Sequence, residues 1–328
     1  MVDVTGMRLV QHPCRNLPIS SGECVVPAEL ERIDRRTAQA WAKDLSVAEY
    51  LRRERVLKTR PFSRGLTVYA LRGDDDTILA SCESYRVPVA VPGRSDRGFG
   101  YGIASVFVDE AQRGHGYAAE LLRRLHRQFF DEGAALVYLM SEIGPTLYAK
   151  LGYVTRPLQV RRYLAQPMPH RAQLIHASDM AQTIANLPPQ QHSPLHIPPT
   201  EEQLDWHISR GRFYAQQLGR SYPDVVGARS GNAVILWQLD LPQDANRLRV
   251  LLLSSPEPGQ DVTEVIAAAQ SVAHQHGLPT VELWESGAQS TLLPGGQRSP
   301  ADDVPMILPL ASDVNLADHS DIQRHHWL

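Results

Sequence analysis

Apolar residues recur along the first half of the chain with two different spacings, and each spacing predicts a different element. Spacings of three and four residues predict one or two helices over Thr37–Lys58 and one helix over Tyr117–Asp131. Runs rich in β-branched and aromatic residues predict strands, and a turn of three aspartates joins two of them as an antiparallel hairpin. The predicted strands are Met7–His12, Leu66–Leu71, Ile78–Val91, Tyr101–Val108, Leu136–Met140, Gly152–Thr155 and Gln159–Leu164, with a short helix at Pro145–Leu151.

The second half repeats part of this order at the level of elements, without a repeat of residues. It predicts helices at Thr200–Leu218 and Val262–His276, and strands at Asp224–Arg229, Ala233–Leu239, Leu248–Leu253 and Thr280–Trp284. Thr200 is expected to cap its helix, and Gly277 to end the other one. The stretch Leu293–Pro309 contains several prolines and glycines and predicts a long loop.

A proline-rich stretch separates the two halves. It runs from about Pro167 to Thr200 and is expected to be extended or looped, with one short helix at Ser178–Asn186. The length of 328 residues is typical of about two domains. We therefore predict a first domain at residues 1–169, a linker at residues 170–199 and a second α/β domain at residues 200–328.

Composition and charge exclude several classes of protein. The 33 basic and 36 acidic residues nearly balance, so nucleic acid is not an expected partner. No apolar run approaches the roughly 20 residues that a membrane-spanning helix needs, and no membrane partner is expected. The three cysteines form no CxxC pair, which favours a reducing cytoplasm over a disulfide framework. His192 and His196 flank Pro194 and lack clustered acidic or cysteine partners, so no metal is expected.

The most specific feature is a short loop with two glycines between a predicted strand and a predicted helix. It reads Arg-Gly-His-Gly-Tyr-Ala over Arg113–Ala118. Glycines allow a ligand to approach the backbone closely, and the first N–H groups of a helix have no helical partner. The helix dipole adds a positive end, so a pyrophosphate can bind there. A plain glycine-containing turn is the alternative interpretation of the loop alone.

The pattern R-x-x-G-x-A in this loop, placed after an antiparallel hairpin, resembles the acyl-CoA-binding motif of the GNAT acetyltransferase superfamily. The segment Pro145–Tyr153 resembles the short fourth helix and the following strand of the same superfamily. The resemblance implies an α/β (α+β) GNAT fold with a mixed, mostly antiparallel sheet and acetyl-CoA as the acyl donor. It implies that the CoA contacts are Val106, Phe107, Val108, Arg113, Gly114, His115, Gly116, Tyr117, Ala118 and Ala119.

A more specific resemblance covers residues 100–157. The segments Tyr101–Phe107 and Leu139–Gly152 resemble the fungal lysine N6-acetyltransferase family, whose members also carry a domain after the GNAT domain. This resemblance implies that residues 200–328 form a degenerate GNAT-like half domain. We expect that domain to complete the acceptor pocket, and covering a sheet edge is the alternative role.

Acetyl transfer from a thioester to an amine requires three groups. The amine must lose a proton, the oxyanion needs a preformed donor and the departing thiolate needs a proton. The resemblance implies that the backbone N–H near Val106 stabilises the oxyanion and that Tyr148 protonates the thiolate. Tyr148 as a core aromatic residue is the alternative.

Two carboxylates are candidates for binding or deprotonating the amine. Glu142 follows a strand end that is expected to face the site, and Glu83 lies in the middle of the Ile78–Val91 strand. The alternative for Glu142 is that it caps the following short helix. The alternative for Glu83 is that it is a strand residue facing solvent.

These observations favour an enzyme, an acetyl-CoA-dependent N-acetyltransferase for a small-molecule amine, with the side-chain amine of free lysine or a related amino acid as the first candidate. An amine-bearing natural product or antibiotic is an alternative acceptor. A catalytically inactive CoA-binding module is an alternative of another class, against which the intact loop and Tyr148 argue.

Overall fold

The computed structural model describes residues 6–92, 98–187, 195–242, 245–255, 259–286, 293–318 and 322–328. Its helices are α1 (Ala28–Trp41), α2 (Val47–Leu57), α3 (Tyr117–Asp131), α4 (Thr146–Ala149), α5 (Met180–Ala185), α6 (Glu201–Gln217) and α7 (Gln260–Gln275). Its strands are β1 (Arg8–Pro13), β2 (Ile19–Ser20), β3 (Glu23–Cys24), β4 (Leu66–Arg72), β5 (Ile78–Val89), β6 (Gly98–Phe107), β7 (Leu136–Ser141), β8 (Val154–Thr155), β9 (Gln159–Leu164), β10 (Gln173–His176), β11 (Val225–Ser230), β12 (Ala233–Asp240), β13 (Arg247–Ser254), β14 (Thr280–Glu285), β15 (Gln297–Pro300) and β16 (Val304–Pro309).

The chain divides into two compact units that are not continuous in sequence. The first comprises Met1–Arg156, Asp303–Leu316 and Leu328, and the second comprises Pro157–Asp302 and Ala317–Trp327. The division near Pro157 falls before the predicted boundary at residue 169, and a late segment of the chain returns to the first unit.

The first unit is built on a seven-stranded sheet in the order β1-β4-β5-β6-β7-β16-β8. Its ladders are antiparallel except the one between β6 and β7. The apolar face of α3, with Leu121, Leu125 and Phe129 fully buried, belongs to a core that includes Ile103 and Val137 of the sheet. This is the mixed, mostly antiparallel sheet that the sequence predicts.

The second unit has a sheet of its own in the order β10-β11-β12-β13-β14-β9-β15. The β13–β14 ladder is parallel. The hydroxyl oxygen of Thr200 accepts a hydrogen bond from the Gln203 N–H, so the predicted cap of α6 is confirmed. The predicted α7 and the four predicted strands of this half are also present, with ends displaced by one or two residues.

Two predictions about late segments are wrong. Gln159–Leu164 does not close the first sheet, because as β9 it pairs with β14 and β15 in the second. Leu293–Pro309 is not a loop throughout, because it contains β15 and β16. Pairing of β16 with both β7 and β8 outweighs the strand-breaking tendency of Pro305 and Pro309, and Met306 joins the core of the first unit.

The segment predicted as a linker carries regular structure in part. β10 and α5 lie within residues 170–199, and Ile175 and Met180 belong to the core of the second unit. The short helix predicted at Ser178–Asn186 is confirmed as α5. Residues 188–194, with the prolines and His192 considered above, lie outside the described residues.

Candidate active site

The first sheet opens where its two parallel neighbours stop pairing. The last paired residues of the β6–β7 ladder are Ile103 and Leu139. β6 continues to Phe107 and β7 to Ser141. Backbone groups of β6 beyond Ile103 are therefore not bonded to β7, and an extended ligand can pair with them.

A bulge in β6 lies at this opening. The register of the β5–β6 ladder shifts between Ser81 and Glu83, so that Ser105 and Val106 together face one residue of β5. Ser105 has φ of 52°, in the left-handed region that non-glycine residues rarely adopt. Strained backbone of this kind is held by its surroundings and concentrates at functional sites. The bulge places Val106, whose N–H is the donor that the resemblance implies, at this opening.

The loop after β6 leads into an uncapped helix. Gly114 and Gly116 have φ of 83° and 76°, and Gly116 is the N-cap of α3. No side chain caps the helix, so its first N–H groups remain available to a ligand. A β-carbon at Gly114 would meet nothing within 4 Å, and the approach to these N–H groups is therefore open. The geometry fits a pyrophosphate.

Side chains of the loop support its shape. The Arg113 Nε donates to the Val108 carbonyl oxygen over 3.2 Å. The His115 Nδ1 lies 3.2 Å from the Gln112 carbonyl oxygen and 3.1 Å from the Arg113 carbonyl oxygen, so it donates to the backbone of the loop. The His115 ring stacks on Tyr117 with centroids 5.6 Å apart. These contacts hold the His115 ring against the loop and stabilise the loop conformation.

Tyr148 lies on α4 and is buried in the core on the α3 side of the sheet. Burial, with smaller contributions from Cys82 and Glu142, raises the pKa of Tyr148 to about 12. Its ring packs edge-on against Tyr153 at 5.8 Å. The phenol thus keeps its proton at neutral pH, which is the state that a general acid requires.

Glu142 and Glu83 lie in different environments. Glu142 is exposed just beyond β7, and one of its oxygens accepts a hydrogen bond of 3.2 Å from the Trp41 Nε1. Glu83 is partly buried, and its Oε2 accepts a hydrogen bond of 3.0 Å from the Ser105 hydroxyl on the bulge. Burial raises the pKa of Glu83 to about 7, although the positive charge of Lys58 opposes this shift. A carboxylate with a pKa near neutrality can act as a general base, which fits the role predicted for Glu83.

Sequence reasoning missed the ionised groups next to Glu83. Asp34 lines the same small cavity as Glu83 and Ser105. The Lys58 Nζ, buried with only 4% of the residue exposed, donates to Asp34 over 3.1 Å. The helical pattern predicted a start at Thr37, whereas α1 begins at Ala28. Extending the pattern backwards would have placed Asp34 on the buried face of the helix.

Two general features of the described residues are also relevant. No group of three or more histidine, cysteine, aspartate or glutamate side chains within the described ranges could hold a metal ion. In the same part of the chain, no helix combines the length and apolar character that crossing a membrane requires.

Family models match both halves of the chain. Residues 27–156 match the acetyltransferase (GNAT) domain. Residues 165–293 match the LYC1 GNAT-like C-terminal domain. The first match contains the bulge, the loop, Glu83 and Tyr148. The first half of the chain therefore contains a GNAT acetyltransferase domain, as the loop and the Pro145–Tyr153 segment predicted, and a GNAT-like domain follows it.

Within this superfamily, the chain is related to the lysine acetyltransferase family. It is 23% identical over 335 residues to a lysine acetyltransferase of Yarrowia lipolytica, covering 81% of this chain and 84% of the relative. The resemblance found at residues 100–157 is thereby confirmed as a family relationship.

Solved structures share the fold at low sequence identity. A GCN5-related N-acetyltransferase from Kribbella flavida has a TM-score of 0.54 and 16% identity, with 93% of this chain and 72% of that chain covered. One from Anabaena variabilis has a TM-score of 0.55 and 13% identity, with 93% and 73% covered. The N-myristoyltransferase of Saccharomyces cerevisiae, solved with bound myristoyl-CoA, has a TM-score of 0.51 and 11% identity, with 90% and 85% covered.

Proposed function

We propose that this GNAT enzyme transfers the acetyl group of acetyl-CoA to a small-molecule amine, and that the side-chain amine of free lysine is the best candidate acceptor. The observation that supports this proposal best is the bulge of β6 at the opening of the sheet. The bulge contains Val106, whose N–H is the proposed oxyanion donor, and Ser105, whose hydroxyl donates a hydrogen bond to Glu83. The proposed base, Glu83 on β5, thus lies beside the bulge of β6 that carries the proposed oxyanion donor. The lysine acceptor is supported by the relationship to the Yarrowia lipolytica lysine acetyltransferase.

The first unit offers a place for each part of acetyl-CoA. The uncapped α3 and the positive-φ glycines would hold the pyrophosphate. The backbone of Val106, Phe107 and Val108, beyond the last pair with β7, would pair with the amide groups of the pantetheine arm. Bound there, acetyl-CoA supplies the thioester that the amine attacks.

The chain's own groups then divide the proton transfers. Glu83 accepts a proton from the acceptor ammonium, which frees the lone pair that attacks the thioester carbon. The Val106 N–H stabilises the resulting oxyanion. As the tetrahedral intermediate collapses, the C–S bond breaks and Tyr148 protonates the departing thiolate. The products are the acetamide and CoA. One proton of the ammonium leaves through Glu83, and the second proton that the nitrogen loses as the amide forms restores the Tyr148 hydroxyl.

A natural product or antibiotic bearing an amine is a second candidate acceptor. It would use the same chemistry and differ from lysine in the size of the group to be held. The exposed Glu142, with the Trp41 indole beside it, is a candidate contact for a larger cationic acceptor. An inactive CoA-binding module is disfavoured because a buried, protonated Tyr148 and a base with a pKa near neutrality are both retained.

A thiol-release assay with acetyl-CoA tests this proposal. Amino acids, polyamines and aminated antibiotics are offered separately to the full-length protein, with acetyl-CoA alone as the control for hydrolysis. We expect lysine to give the highest kcat/KM. A clear preference for an antibiotic would transfer the proposal to the second acceptor class. Thiol release that no amine accelerates would contradict an N-acetyltransferase.

A further inference from the structure

A buried group of charges lies on the α1 and α2 side of the first sheet, next to the bulge. Its acidic members are Asp34 on α1, Glu54 on α2 and Glu83 on β5, and its basic members are Arg53 and Lys58. Ionised side chains are almost never buried unless they are paired. We call these five residues the buried charge cluster.

The contacts within the cluster are specific. The Lys58 Nζ lies 3.3 Å and 3.1 Å from the two carboxylate oxygens of Asp34 and 3.5 Å from the Glu54 Oε2. The Arg53 Nη2 donates to the Glu54 Oε1 over 2.6 Å. Glu83 instead receives its hydrogen bond from Ser105. The cluster contains three carboxylates and two cations. When all five are ionised, its net charge is therefore −1.

The extra carboxylate is the one that faces the bulge. Asp34, Thr37, Glu83 and Ser105 line one small cavity, so Asp34 and Glu83 share a polar space. A proton on Glu83, or an ammonium group beside it, would balance the cluster. An acceptor amine brings such a charge to this position.

We infer that Lys58 and Asp34 are positioning residues for acetyl transfer: their buried ion pair sets the charge around Glu83, and with it the pH range in which Glu83 accepts the proton of the amine. This inference rests on the proposed function. The ion pair itself does not touch the reacting atoms. Its effect is electrostatic, across a buried region in which charges interact more strongly than in water.

Other titratable groups lie near Glu83, on the surrounding elements and on β5 itself. They are Cys14 after β1, Tyr50 on α2, and Cys82 and Tyr85 on β5. Burial raises the pKa of each of them, and all four stay neutral through the physiological range. Burial also raises the pKa of Asp34 to about 6, and Lys58 opposes that shift. The charges that act on Glu83 near neutral pH are therefore those of Lys58, Glu54 and Asp34, in that order. Of these, Lys58 and Asp34 form the buried ion pair.

Two substitutions should move the titration of Glu83 in opposite directions. Lys58→Met removes a positive charge and should raise the midpoint, whereas Asp34→Asn removes a negative charge and should lower it, each by about one pH unit. A merely structural role would not produce opposite signs. Glu31→Gln, on the exposed face of α1 where Glu31 pairs with Arg35, should leave the midpoint unchanged.

The titration is measured in the full-length protein by ¹³C NMR of labelled glutamate side-chain carboxyl carbons, without acceptor or acetyl-CoA. Loss of one resonance in Glu83→Gln assigns the signal. Should Lys58→Met fail to fold, Asp34→Asn/Lys58→Met removes both charges together. Its midpoint should lie close to that of the wild type and above that of Asp34→Asn alone, since the two charge losses act in opposite directions.

The same variants are then compared in the pH dependence of kcat/KM for whichever acceptor the thiol-release assay identifies. We expect the acidic limb to move with the NMR midpoint. Shifts in the same direction, absence of shifts, or a signal that persists in Glu83→Gln would overturn the inference. Because the NMR titration needs no acceptor, it gives this result even if acetyl transfer itself is not observed.

Discussion

At the scale of single residues, Glu83 and Tyr148, which we propose as base and acid, lie on opposite faces of one sheet. Glu83 lies on the face of β5 that meets α1, as the shared cavity with Asp34 shows. Tyr148 packs in the core on the α3 face, together with the neighbouring β5 residue Cys82. Successive strand residues alternate between faces. The strand β5 thus separates the proposed base from the proposed acid.

Replacing Tyr148 with phenylalanine should remove the acid and keep the ring. We expect kcat to fall by about 10²-fold, as is usual for loss of a general acid, with little change in acetyl-CoA affinity. Tyr153→Phe is the matched control, since it removes a neighbouring buried hydroxyl that pairs with the His126 Nε2 at 2.9 Å. Steady-state kinetics of both variants decide the role, and undiminished kcat in Tyr148→Phe would exclude it.

Glutamine substitutions distinguish the two carboxylates. At pH values below its pKa of about 7, Glu83 is protonated and cannot accept a proton. The kcat/KM of the wild type should therefore fall as the pH drops through 7. Glu83→Gln should have low activity and lack this limb. Glu142→Gln should keep the limb and raise the KM of the amine.

Stability gives the folding control for Glu83→Gln. Since burial raises its pKa, ionised Glu83 destabilises the folded state as pH rises from about 4.5 to 7. The variant should therefore unfold at a temperature no lower than the wild type at pH 8. Wild-type pH profiles in both glutamine variants would mean that water or another group takes the proton.

At the scale of elements, strands and helices with clear periodicity were predictable, and α3 was placed with both ends correct. The strand–loop–helix motif with its glycines was also predictable, because local backbone requirements determine it. The family resemblance implied a bulge at the end of the Tyr101–Val108 strand, and the register of the β5–β6 ladder contains it. The buried charge cluster was not predictable, since it depends on side chains distant in sequence. β16 was missed because its prolines indicate a loop, and only pairing on both sides makes it a strand.

Gly116→Val tests the N-terminus of α3 as the pyrophosphate site. A β-branched residue is strained at φ of 76°, and its side chain would project at the loop. We expect acetyl-CoA affinity to fall at least tenfold by calorimetry. Gly133→Val is a matched control, with φ of 81° beyond the other end of α3 and nothing within 4 Å of its β-carbon. It should lose stability yet bind acetyl-CoA normally, whereas wild-type affinity in Gly116→Val would show that the pyrophosphate binds elsewhere.

At the scale of the whole molecule, the first unit depends on a strand that follows the second unit in sequence. β16 lies between β7 and β8, and β8 has no other partner among the described strands. The Arg156 N–H donates to the Pro305 carbonyl oxygen over 2.8 Å, so the chain leaves and re-enters the first unit at neighbouring points. The role of residues 200–328 in the acceptor site stays a prediction, and its test has to preserve this strand.

Two deletions separate the contribution of β16 to folding from the contribution of residues 200–328 to acceptor binding. A chain ending at Pro169 lacks β16, which leaves the edge of β7 unpaired and removes Met306 from the core, so it should be unstable. A chain joining Arg156 to Asp303 through an Asn-Gly turn and ending at Leu316 should fold and bind acetyl-CoA. Thermal unfolding and calorimetry compare the two. If the second variant also acetylates the amine with unchanged KM, residues 200–328 do not contribute to acceptor binding.

The most direct test of acetyl transfer to an amine follows the acetyl group itself. Wild-type protein is mixed with acetyl-CoA carrying a ¹³C-labelled acetyl group and free lysine, and the products are identified by NMR. We expect the label to appear as an amide on the side-chain nitrogen of lysine, in an amount equal to that of the CoA released. Label found only as acetate, or left on CoA, with lysine and with every other amine of the panel, would contradict it.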